Sequence, residues 1–283
     1  MTDRSTALAQ SAGSAGRDSW PLPRRRIIGA VNWRGTWSLF CRELWRALKV
    51  WDFTLGSATI RAVLFTAVFG FATAGIERPM GGMPLIDFLI PGLIAAAVLE
   101  HAFVSAAFSI VHDRIEGILG DTLMAPLTVA EIIGVYIAAA VVGTLVVGTV
   151  VWTALLPFGA PLPVHTGAVL GFAAAGAVLV GFVSTMVGLW VRRWDSLAAV
   201  QTFVVLPFVF TSGVFFSLDR LPASLTVVAR ANPLFYVVDG IRFGLTGRAE
   251  SDPMTGIAII AATTAVLGAL CYLMFSRGTG LRD

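Results

Sequence analysis

FLIPGLIAAAVLEHAFVSAAFSIV, running from Phe88 to Val111, decides the fold class. Its only ionisable residues are Glu100 and His101. As a helix it reaches about 36 Å at 1.5 Å per residue, longer than the roughly 30 Å of bilayer hydrocarbon. Apolar residues occupy every helical face, so the pattern is that of a buried or membrane-spanning helix, not a surface helix.

Five similar runs lie outward from it. The first span covers about Leu55 to Gly75, with Arg61 one turn inside its start and able to snorkel. The third covers Ala130 to Leu156, the fourth Thr166 to Trp190, the fifth Ser196 to Phe216 with a kink expected at Pro207, and the sixth Met254 to Phe275. The bulk composition agrees: 13% of the 283 residues are charged, about half the share in a soluble domain. The fold class read from these runs is an all-α membrane protein with six transmembrane helices.

Residues 1–26 are rich in Ser, Ala, Gly and Arg without apolar periodicity and read as a disordered tail. After Arg24 to Arg26 the apolar run from Ile27 stops at Asn32, too short for the core of a cleavable signal. Residues 27–283 form the transmembrane domain. It opens with an amphipathic helix at 34–51. Trp37, Phe40, Cys41, Leu44, Trp45, Leu48 and Trp51 recur at helical spacing, with Arg42, Glu43, Arg46 and Lys49 between them. That pattern predicts an interfacial helix lying in the membrane plane, tryptophans at headgroup depth and cations near anionic lipid. Arg and Lys are concentrated in the tail, this helix and alternate connections, which places both termini in the cytoplasm.

Two connections exceed simple linkers. Residues 112–128 carry Asp113, Arg114, Glu116 and Asp121 among Ile115, Ile118, Leu119 and Leu123. A short amphipathic helix ending before Pro126 is expected, suited to a partner's groove. Thr128 then caps the third span with Glu131 at the capping-box position. Residues 217–253 are too apolar for a solvated loop and too short-runned to cross. Asp219 is placed to cap a helix starting near Pro222, and Asn232 to cap another with Pro233 at its first position. Asp239 and Arg242 are three apart and positioned to pair. A pair of helices dipping into the outer leaflet is expected, with buried or wetted ends.

Glu100 and His101 are costly at mid-membrane depth. They suit either the lining of a substrate path or a polar helix contact, with Ser105 or a second subunit. Gly167 and Gly171 form a G-x-x-x-G, which allows close helix packing. Cys41 and Cys271 belong to no metal-binding or disulfide spacing. G-x-x-x-x-G-K-[ST] is absent, and the single lysine is Lys49. Any nucleotide site is therefore expected on another chain, and no metal site or nucleic-acid contact is suggested.

The chain from about Arg34 onward resembles ABC-2 type transporter permeases, in the branch of polysaccharide, nodulation-factor and drug exporters. The resemblance rests on stretches in order: Phe88 to Leu93, Leu123 to Leu127, Ser212 to Leu218 with Leu221 and Pro222, Asn232 to Tyr236 with Gly240 to Gly244, and Arg277 to Arg282. It implies an ATP-driven exporter subunit in the cytoplasmic membrane that is not itself an enzyme. The 34–51 helix becomes a connecting helix, and 112–126 the coupling segment to an ATP-binding subunit in two copies. Residues Leu221, Pro222, Asn232, Pro233, Asp239 and Arg242 join an outer re-entrant gate. A second permease copy completes the unit, with ATP and Mg held by the partner chains. Lipid, glycolipid, polysaccharide and hydrophobic drug all fit as cargo. Two other classes stay open: a proton-coupled secondary transporter using Glu100 and His101, and a membrane enzyme built around His112–Asp113 or Asp239 and Arg242.

Overall fold

The structure, a computed structural model, describes residues 31–49, 51–72, 80 and 83–278. The 1–26 tail and the last five residues lie outside these. Ten helices follow in order: α1 Trp33–Lys49, α2 Trp51–Ala72, α3 Leu85–Ile115, α4 Leu119–Met124, α5 Val129–Leu155 and α6 Thr166–Trp190 come first. Then come α7, a composite from Trp194 to Val214, and α8 Ala223–Ala231, α9 Pro233–Thr246 and α10 Pro253–Ser276. Among the described residues six helices are long and apolar enough to cross a membrane: α2, α3, α5, α6, α7 and α10. No strand occurs among the described residues. The described part of the 34–51 helix begins at Trp33 and runs to Lys49, and the next described helix begins at Trp51.

The decisive stretch forms the centre. Of α3's most apolar window 78% is buried, against 11% for α10 and 17% for α2. α3 packs along α6, α5, α9 and α2. Small residues bring α6 close: Gly188 sits where a side chain would meet Ile110 and the backbone of Ala107. There the Ser184 hydroxyl donates to the Phe103 carbonyl and accepts from the Ala107 amide at 2.7 Å, entering α3's own backbone ladder. Such an insertion satisfies a buried hydroxyl and locks the two helices in register. Gly167 and Gly171, by contrast, have nothing within reach of an added side chain. Close packing falls instead to Gly176 against Val237, Gly240 against Phe172 and Gly244 against Val169. The spacing was present in the sequence, but a glycine shortens an interface only where a neighbouring helix meets it.

α7 is broken, though not at its proline. Pro207 lies in a short α-helical turn, Leu206–Val209, flanked by wide turns at Gln201–Val205 and Phe210–Val214. Those wide turns absorb the missing amide. The chain leaves helical geometry at Ser212 and at Gly213, whose φ is 79°, a conformation that glycine adopts without penalty.

Two local capping signals are present in the structure. Thr128 and Glu131 make the reciprocal capping box at α5. The Asn232 carboxamide oxygen accepts from the Leu234 amide at 3.0 Å, with Pro233 opening α9. Asp219 does not cap: it lies in a single turn, Leu218–Arg220, and α8 starts after Pro222 without a side-chain cap. That turn, tied by the Leu218 amide to the Glu250 carboxylate at 2.9 Å, separates Asp219 from the helix start.

Candidate functional site

One end of α3 carries a buried charge cluster built from four helices. Asp113, in the last turn of α3, is fully buried. It accepts from Arg46 at 2.6 Å, from Arg42 at 2.7 Å and more weakly from the Tyr136 hydroxyl at 3.4 Å. Glu43 is also buried and accepts from Ser109 at 2.5 Å, Arg42 at 3.0 Å and Arg46 at 3.3 Å. Two cations and two anions cancel. A neutral, fully bonded cluster is the form in which charges tolerate burial. Burial works against the charged form of Arg42, but Asp113 and Glu43 outweigh it and hold the guanidinium above its ordinary value.

These bonds orient α1 on the protein. Its charged face turns into the protein, onto Asp113, and its aromatic face points outward. Trp33, Trp37 and Trp45 are 76%, 66% and 67% exposed. Arg42 and Arg46 therefore serve an internal carboxylate, while Lys49 stays exposed. The partner that draws them in is supplied by α3, about 70 positions along the chain.

The cluster reaches the 112–128 segment. Arg42 donates to the Thr122 hydroxyl of α4 at 3.2 Å. Next to it, Arg114 donates to the carbonyls of Gly188, Leu189 and Val191, closing the end of α6, as cations favour a helix C-terminus. Asp113 is thus buried and Arg114 half-buried, and the partners given above lie within this chain. The rest of the segment is outside. Glu116, Asp121 and Pro126 are exposed, Leu123 is half-buried against the core, and Gly117 at φ 74° makes the turn into α4. Ile115, Ile118 and Met124 stand exposed, Met124 at 83%.

At the other end of α3, Arg242 is buried with its guanidinium 3.8 Å over the Phe88 ring. It donates to the Gly213 carbonyl at 2.7 Å and lies 3.6 Å from Asp239. Asp239 also accepts from the Glu250 and Ser251 amides and the Ser251 hydroxyl. The Asn232 amide donates to the Phe208 carbonyl at 2.9 Å. α9 is therefore fastened to the broken stretch of α7 at two places. Leu221 is half-buried and Pro222 exposed at the start of α8.

Between the two ends lies a cavity of about 550 Å³. Glu100 forms an ion pair there with Arg61 of α2. His101 also lines it, with neither ring nitrogen hydrogen-bonded among the described residues. Ser105 faces the same space. The sequence did not single out Ser109, Tyr136, Thr122 or Gly213 as site residues. Ser109 stands one turn before Asp113 on the same face, and that spacing was the available signal. No group of three or more metal-binding side chains occurs among the described residues.

Five apolar helices around a buried sixth, with balanced charge at its ends, define a multi-pass helical membrane protein. The family model for ABC-2 type transporters matches residues 34–246, and the chain belongs to that family. It is similar to the inner membrane transport permease YadH of Escherichia coli K12, 28% identical over 89% of this chain and 99% of the relative. It is similar also to the probable multidrug ABC transporter permease YbhR of the same strain, 26% identical over 67% of this chain and 52% of that one. Nodulation protein J of Rhizobium leguminosarum bv. viciae is 23% identical over 82% and 89%. The chain is a permease subunit of an ABC transporter in the inner membrane; it is not itself catalytic.

Proposed function

We propose that this permease exports an amphipathic or polymeric cargo (lipid, glycolipid, polysaccharide or drug), driven by ATP that a separate subunit hydrolyses. Two ATP-binding subunits, holding ATP and Mg, dock on two permease copies, and both termini of each copy face the cytoplasm. α1 lies in the membrane interface with its tryptophans among headgroups, and α8 and α9 are the outer re-entrant pair. The observation that carries the reading is the exposed apolar edge of the 115–124 segment. Ile115 at the end of α3, Ile118 just before α4 and Met124 at the end of α4 are exposed, and α4 is bonded through Thr122 to the buried Arg42–Asp113 cluster. Apolar knobs on a small rigid element suit a groove on a partner, and the cluster behind them passes a push into α3.

The test is co-purification with the ATP-binding subunit expressed beside the permease, followed by ATPase and vesicle-transport assays. Ile118→Glu and Met124→Glu should each abolish capture of the ATPase while leaving permease yield and melting temperature unchanged. Full capture and full transport in both variants would refute the docking role. Transport that continues without any ATPase and follows a pH gradient would instead favour the secondary transporter built on Glu100 and His101.

A further inference from the structure

The cavity beside α3 has a chemistry that the charge cluster and the docking edge do not use. It spans from Ser109 to Ala97 along α3, roughly 18 Å at 1.5 Å per residue. Its size, about 550 Å³, falls in the 300–1,000 Å³ range of small-molecule sites. Most of the lining is apolar, from α2, α3 and α5.

Its charges are already matched. Arg61 pairs with Glu100, and Arg46 pairs with Glu43. Among the described residues lining the cavity no uncompensated cation remains to receive a phosphate or carboxylate, and an unmatched charge in such surroundings is unfavourable. The unused bonding capacity is neutral. Both ring nitrogens of His101 are buried without a hydrogen-bond partner among the described residues. The Nε2 atom rests against α5 at Gly143, where an added Cβ would lie 2.8 Å from it. A half-turn of the ring about its two-fold terminal torsion exchanges nitrogen and carbon positions, and both His101 and Gly143 line the cavity. A neutral imidazole supplies one donor and one acceptor, and a serine hydroxyl supplies both. Ser105, one turn along α3 from His101, lines the same wall. A ligand hydroxyl, at once donor and acceptor, matches these groups in either sense.

We propose that the cavity walled by α1, α2, α3 and α5 binds an amphipathic molecule with an uncharged, hydroxyl-bearing headgroup, its headgroup held by His101 and Ser105 and its tail along the apolar lining. The Arg61–Glu100 pair keeps the site neutral and so excludes anionic headgroups. The proposal narrows the cargo or lipid class of the permease reading and rests on it only for the membrane setting.

Permease in phosphatidylcholine nanodiscs, without ATP or partner, is titrated with a glucosyldiacylglycerol, with phosphatidylglycerol of the same chains and with free maltose. Native mass spectrometry counts the ligand retained. The glycosyl lipid is expected to be retained about tenfold better than phosphatidylglycerol, and maltose not at all. Ser105→Leu, which fills the wall, and His101→Phe should each weaken glycosyl-lipid retention roughly tenfold, the effect of about 1.4 kcal/mol. Glu100→Gln, which leaves Arg61 unmatched, should turn the preference toward phosphatidylglycerol. Equal or better retention of phosphatidylglycerol by the unaltered chain overturns the proposal. So does retention of maltose, or an undiminished glycosyl lipid in Ser105→Leu, which decides alone if His101→Phe does not fold. Failure here leaves ATPase capture untouched, so the two readings fail separately.

Discussion

Asp113→Ala removes one of the two buried carboxylates at the α1–α3 junction, the one supplied by α3, and its effect can be worked from the contacts. Asp113 holds two charge-assisted bonds, to Arg46 at 2.6 Å and Arg42 at 2.7 Å. Each such bond contributes about 1.5–3 kcal/mol. Losing both leaves two guanidiniums facing Glu43 alone. Arg42 has a third of its side chain exposed and can turn to water, whereas Arg46 has 15%. Discounting the Arg42 bond for screening gives a net loss of about 3 kcal/mol, near the lower edge of the cost of breaking a buried pair. For a chain of this size that is a fall of roughly 6–12 °C in melting temperature, read by a thermal scan of the purified protein. Arg46→Ala in the same background should restore part of the loss, because it removes the orphaned cation. A shift below about 2 °C for Asp113→Ala, or strict additivity in the double variant, would show that the cluster does not join α1 to α3 as described.

Other expectations follow from single contacts. Gly240→Ala drives a methyl into the Phe172 ring and Gly92→Ala drives one into the Val214 carbonyl, so each should destabilise by about 1–3 kcal/mol. Gly167→Ala and Gly171→Ala meet nothing and should be neutral or slightly stabilising in the same melting assay. Asn232→Ala loses the α9 cap and the bond to the Phe208 carbonyl and should lower stability by about 1–2 kcal/mol. Asp252 caps α10, and the Thr255 amide holds its carboxyl below the ordinary aspartate value. A depressed folded-state value contributes stability above the unfolded-state value and loses it as pH falls through the folded one. Melting curves of the parent and Asp252→Asn should therefore differ at neutral pH and converge below about pH 4.

The spans were legible because membrane crossing demands long uncharged runs, a property of contiguous sequence. The caps at Thr128 and Asn232 were legible because both partners lie within three residues. What was hidden depends on distant pairing. The charged stripe of α1 carries no mark that its partner is Asp113 rather than lipid. Arg61 gives no sign of Glu100, one helix away. Asp113 and Arg114 look like surface charges because they sit beside exposed Ile115 and Glu116, yet the helix turns their side chains inward. Gly213 could not be ranked above Pro207 as the break in α7, since neighbouring wide turns absorb a proline's missing amide but leave the left-handed residue to glycine.

The position of α3 makes these separate contacts into one mechanical path. It runs 31 residues, about 46 Å, and is gripped at both ends. At one end Asp113 binds α1, and α1 binds α4 through Arg42 and Thr122. At the other, Phe88 lies under Arg242, and Arg242 holds the Gly213 carbonyl at the break in α7. Between them the Ser184 bond and the glycine contacts fix α6 to its side. A densely packed helix of this length compresses little, so the expected outlet for a displacement applied at Thr122 or Asp113 is the place where α7 is already broken. Under the proposed docking, the push of an ATP-binding subunit on Ile118 and Met124 enters that path at its start. The Arg242–Gly213 bond is then the contact that must slip for the far end to open.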